Sequence, residues 1–143
     1  MRTNLTTMKS LYFKIAACFL LILLFSCTYS QSYNPEFKTE QSPQLDSIKV
    51  KYNFEDVQVQ GKKSSGSGGN HTNLTIKLIN GKGVPGTDDE ITVLAKQIAL
   101  LTKGMLKDPK QFESYTILFV TKTVDSSVTS SKWVGHEFKP GEI

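Results

Sequence analysis

Hydrophobic and polar positions change period several times along this chain, and each change marks a predicted element. Residues 15–25 form an unbroken apolar run. Further on, Ile48, Val50, Tyr52 and Phe54 alternate with Lys49, Lys51, Asn53 and Glu55, which predicts a half-buried strand. Val57 and Val59 carry the alternation on the opposite parity, so a bulge or bend is expected at Glu55-Asp56. Leu74, Ile76 and Leu78 restart it before Asn80-Gly81. Between these runs lies GKKSSGSGGNHTN, residues 61–73, read as a flexible loop joining two antiparallel strands.

The period then shifts to that of a helix. Thr87-Asp88-Asp89-Glu90 spells a capping box, and Ile91, Leu94, Ile98, Leu101 and Met105 follow at steps of three and four, with Ala95 beside them. Asp108-Pro109 is the expected stop. Burying the five large side chains contributes about 10 kcal/mol gross. Val93 and Leu100 fall nearly opposite this apolar face, next to Gly104, with Lys96, Lys103 and Lys107 as a neighbouring basic stripe. Residues 115–124, YTILFVTKTV, are β-prone with bulky groups on both parities, as a central strand requires. After a turn at Asp125-Ser126-Ser127, residues 128–138 read as a weaker strand carrying Trp133.

The expected fold is therefore α+β, with element order β-β-α-β-β and a mostly antiparallel sheet bearing one helix on one face. One helix covers one face only. If Tyr115, Ile117 and Phe119 meet it, Leu118 and Val120 lie on the open side together with Trp133; the reverse parity is the alternative. Leu118, Val120 and Trp133 are thus candidate interface residues, with Val93 and Leu100 as a second candidate strip on the helix. The competing expectation is that the glycine-rich loop or the N-terminal segment folds over the open face.

The run at 15–25 spans about 16 Å as a helix, roughly half a bilayer core, so it reads as the apolar region of a signal peptide. Lys9 and Lys14 precede it, and Leu24-Phe25-Ser26-Cys27 closes it. This closing tetrapeptide resembles the lipobox of bacterial lipoproteins, with an aliphatic residue three before the cysteine and a small one just before it. The resemblance implies removal of residues 1–26 and acylation of Cys27 as the new N-terminus, hence membrane anchoring through several acyl chains. Ile15-Ala16-Ala17-Cys18 fits the same pattern but has no apolar segment ahead of it. Ordinary secretory cleavage near Ser30 is the other reading, and translation from Met8 instead of Met1 gives the same mature chain. Thr28 after the cysteine, with no acid before Glu36, matches an outer-membrane, periplasm-facing position.

Residues 28–44 are polar and proline-punctuated, which predicts a flexible tether between Cys27 and a single domain at 45–143. Its reach as a random coil would be roughly 20–25 Å.

At 143 residues, 38% hydrophobic and 21% charged, the chain holds one domain and not two. The net charge of +4 belongs largely to the leader: Arg2, Lys9 and Lys14 precede Cys27, and beyond it 14 basic residues face 13 acidic ones. That balance lacks the clustered positive charge of a nucleic-acid binder. With Cys18 removed and Cys27 acylated, no thiol remains for a disulfide, a metal or nucleophilic catalysis. His71 and His136, the only histidines, lack metal-ligand spacing. No phosphate-binding glycine motif, cofactor motif or nucleophile elbow is spelled. The expected role is a non-catalytic binding or scaffolding domain on a lipid anchor, with an envelope protein or a second copy as partner. A small hydrolase with dispersed catalytic residues, or an inhibitor or immunity lipoprotein, is the alternative.

Overall fold

The computed structural model describes residues 29–66, 68–125 and 128–143, and Cys18, Cys27 and the leader lie outside this range. Among the described residues, five strands and two α-helices follow in the order β1 (Tyr29–Tyr33), α1 (Gln41–Tyr52), β2 (Asp56–Gly66), β3 (Gly69–Ile79), α2 (Asp88–Met105), β4 (Ser114–Asp125) and β5 (Val128–Phe138). The strands lie side by side in chain order in one sheet. Three of the four pairings are antiparallel, and β3 with β4 is parallel. A parallel pair needs a crossover, which α2 supplies. The class is α+β with a mostly antiparallel sheet, as expected; the order is β-α-β-β-α-β-β.

Three expectations are corrected. The alternation over residues 48–54 falls on α1 up to Tyr52 and on the turn that follows it; in the helix Ile48 is buried, Leu45 and Tyr52 pack on the core, and Val50 is 80% exposed. Positions 45, 48 and 52 fall on one helical face, so the same letters satisfy either period. Asn53 ends the helix in the left-handed region, at φ 57°. The amides of Asn53 and Phe54 donate to the carbonyls of Val50 and Lys49, closing a Schellman turn.

The described part of the glycine-rich segment is two paired strands, with the ladder continuous from Asp56–Ile79 to Gly66–Gly69. Nor is the described part of the expected tether, from Tyr29 on, free: β1 pairs with β2 from Tyr29–Ser65 to Tyr33–Gly61. Beyond β1, Phe37 bridges Leu106 and packs on the core. Two amide bonds flank that bridge, from Lys38 to the Met105 carbonyl (2.9 Å) and from Lys107 to the Glu36 carbonyl (3.0 Å).

Both helices cover the same sheet face. Val57 and Val59, Leu74, Ile76 and Leu78, and Tyr115, Ile117 and Phe119 point into this core with Ile98, Ala95 and Ala99 of α2. In α2 the Thr87 hydroxyl caps the helix by accepting from the Glu90 amide at 3.4 Å, and the Glu90 carboxylate reaches back to that hydroxyl, accepting from it at 2.7 Å, where a full capping box would use the Thr87 amide. Tyr115 is fully buried, and its hydroxyl donates to the Pro109 carbonyl at 2.8 Å. Burial, with the Asp108 charge in second place, pushes its pKa up to about 12. Among the described residues no helix is long and apolar enough to cross a membrane.

Candidate functional site

Neither helix packs on the second face of the sheet, and strand register orders its side chains into rows. Alternate residues of a strand point to opposite faces, so this face carries the partners of the buried set. Four rows cross β2 to β5 or end at β4. They are Asp56–Ile79–Val120–Trp133, Gln58–Lys77–Leu118–Gly135, Gln60–Thr75–Thr116–Glu137, and Lys62–Asn73–Ser114. The last two are polar and internally satisfied: the Asn73 amide donates to the hydroxyls of Ser114 (2.7 Å) and Thr116 (2.8 Å) and accepts from Thr75 (2.9 Å).

The first two rows are different. Ile79 is 4% exposed yet stands outside the core cluster, beside half-buried Val120 and then Trp133, which is 71% exposed. Leu118 lies across Gly135, where a Cβ would sit 2.8 Å from its Cδ2 and 3.9 Å from the Trp133 ring. The missing side chain is what lets Leu118 and Trp133 share one surface. Ile79, Leu118, Val120 and Trp133 therefore form an apolar patch at one end of an otherwise polar face.

Sequence parity grouped Leu118 and Val120 with either face open to them, and strand register sets them with Trp133 on the side away from the helices. Ile79 was missed, because its place in the patch comes from pairing with Val120 and not from its neighbours in the chain. Val93 and Leu100 are 58% and 56% exposed on the outer side of α2, across the core from the patch. They do not join it. The basic stripe beside them is partly engaged: the Lys103 ammonium donates to the carbonyls of Pro140 (2.8 Å) and Ile143 (2.7 Å), and Lys107 pairs with Glu36 at 2.9 Å.

The two histidines are far from the patch or beneath it. His71, exposed, makes a 2.9 Å contact from Nδ1 to Glu113 and a 3.0 Å contact from Nε2 to the Gly68 carbonyl. The Glu113 hydrogen bond, then the Gly68 carbonyl and the Glu113 charge, hold its pKa above the usual imidazole value. These residues border an open cleft of about 580 Å³ that also includes Glu137, Lys139 and Glu142. His136 lies on the core face, edge-on to Phe119, with Nδ1 3.3 Å from the Thr92 hydroxyl and a buried Nε2 that has no partner. Among the described residues neither imidazole is hydrogen-bonded to a serine, and no three His, Cys, Asp or Glu side chains are grouped as metal ligands. No protein-family model, curated protein or solved structure matches the chain.

Proposed function

We propose that this chain is a lipoprotein of the bacterial outer membrane, anchored through acylated Cys27, whose domain is a non-catalytic binding module. The anchor reading rests on the apolar run at 15–25 ending in Leu24-Phe25-Ser26-Cys27. The observation that carries the binding reading is the patch of Ile79, Leu118, Val120 and Trp133 on the sheet face that neither α1 nor α2 covers. Trp133, 71% exposed beside half-buried Leu118 and Val120, leaves apolar surface in water that a partner surface would cover. An envelope protein, or a second copy of this chain, has the chemistry to do so.

Two experiments test the two halves. Labelled fatty acid should be incorporated by the natural chain and by Cys18→Ser, but not by Cys27→Ser; labelling that instead depends on Cys18 overturns the anchor assignment. For the binding half, a photo-crosslinker at Trp133 should yield a discrete adduct in cells that is lost in Leu118→Asp/Val120→Asp, while one at Val93 should yield none. Because Leu118 and Val120 are only half-buried, the double variant should keep its circular dichroism spectrum. Equal adducts from both positions would overturn the patch as the docking surface.

A further inference from the structure

The outer half of the β2–β3 hairpin extends beyond the core. The last row with a buried residue is Gly61–Leu74–Tyr115, and past it residues 62–66 and 68–73 are exposed or half-buried. From Gly61 to Gly66 this arm projects about 17 Å at strand rise. It is three strands wide, because β1 runs along it with Tyr29 opposite Ser65, next to the turn. Tyr29 is 63% exposed there. The arm and β1 contain Lys62, Lys63 and His71 and no acidic residue.

Cys27 precedes Tyr29 by two residues, so their Cα atoms are separated by at most about 7 Å. This distance cannot bridge a headgroup layer. From it we infer that the tip of the three-stranded arm, with Tyr29, Ser65 and Asn70, rests on the phospholipid surface and holds the domain upright as a standoff. The inference rests on the acylation of Cys27 proposed above. An exposed tyrosine at the headgroup level suits that position, while Lys62 and Lys63 stand at the base of the arm, the Lys63 ammonium over the Tyr33 ring. The arm replaces the flexible tether: it supplies a defined distance and a defined orientation. The β4–β5 hairpin leaves the opposite end of the sheet, since β4 is parallel to β3 and continues past Val120 to Asp125. The patch around Trp133 is then about 30 Å from the tip, measured as strand from Asn70 to Ile79, and faces a soluble or neighbouring partner instead of lipid.

The test uses the acylated mature chain in vesicles of phosphatidylethanolamine and phosphatidylglycerol carrying a headgroup-attached quencher. With its lipid on Cys27 the chain has no free thiol, so Ser65→Cys and Thr129→Cys each take a single fluorophore. Quenching at Ser65 should exceed that at Thr129, and that of Trp133 fluorescence, several-fold. A long Gly/Ser insertion between Thr28 and Tyr29 should abolish the difference. Equal quenching at both sites in the uninserted chain, or stronger quenching at Thr129, overturns the standoff. Mass spectrometry of the same sample separates the two failures: an acylated chain without the quenching difference refutes the standoff alone, whereas a mature chain without the acyl mass refutes both it and the anchor.

Discussion

The ring of Tyr33 lies over Gly61 so closely that a Cβ on Gly61 would stand 2.5 Å from Cζ. The same ring stacks on Phe112, at 6.4 Å and 7° between planes, and its hydroxyl reaches Gln111 at 3.4 Å. Burial raises the pKa of the Tyr33 phenol above its ordinary value. One aromatic side chain thereby fastens β1 to the rest of the domain, and a glycine provides its seat.

Gly61→Ala should accordingly destabilise the domain by about 1–3 kcal/mol, because the ring must leave either its seat or its stack. In a Tyr33→Ala background the same substitution should cost much less, since the two residues share one contact. Thermal or urea unfolding of the four chains gives the coupling. Additive effects would show that the ring does not depend on this seat.

Removing residues 28–40 should destabilise the fold. Such a chain, beginning at Gln41, loses β1, the packing of Tyr33 and Phe37, and the Glu36–Lys107 pair. Side chains that bury only part of their surface still contribute about 2 kcal/mol together, corresponding to a fall in Tm of roughly 10 °C for a domain of this size. Calorimetry on chains beginning at Thr28 and at Gln41 compares them directly. Equal melting temperatures would return this segment to the status of a tether.

His71 gives a pH signature. Its pKa is raised in the folded chain, first by the hydrogen bond to Glu113. The stabilisation from protonated His71 is therefore fully present below the ordinary imidazole value near 6.5 and is lost as pH rises through the elevated folded value. Both side chains are exposed, so the effect on overall stability is small. Glu113→Gln should lower the His71 midpoint in an NMR titration, and an unmoved midpoint would remove Glu113 as the cause.

Tyr115 should resist ionisation until about pH 12. A phenol whose folded pKa lies above its unfolded value near 10 stabilises the fold fully below pH 10, and that contribution falls away between 10 and 12. In ultraviolet titration one tyrosine should ionise late and vanish from the curve in Tyr115→Phe. That variant removes the hydroxyl's hydrogen bond to the Pro109 carbonyl, which keeps the Phe112 amide as donor at 3.4 Å, at a cost of about 0.5–1.5 kcal/mol.

What the sequence determined by itself is what short-range chemistry encodes. Thr87 and Glu90 cap α2 through atoms three residues apart, and the i, i+3, i+4 spacing from Ile91 to Met105 leaves one face to bury. The two-sided run at 115–124 is a central strand wherever it is placed, and its parity put Leu118 and Val120 together. Each of these features depends on neighbours within one turn or one pleat. Tertiary structure decided the rest. The letters of 45–52 fit a strand or a helix, and packing of Leu45, Ile48 and Tyr52 against the core, with the Asn53 cap, selected the helix. YSQSY and the glycine-rich arm have no side-chain pattern to read, because backbone amides and carbonyls pair them into the sheet. Those groups are the same in every residue but proline, so only the partner strand shows where they bond. The patch depends on the same kind of relation: Ile79, Val120 and Trp133 lie far apart in the chain, and strand register alone brings them into one row.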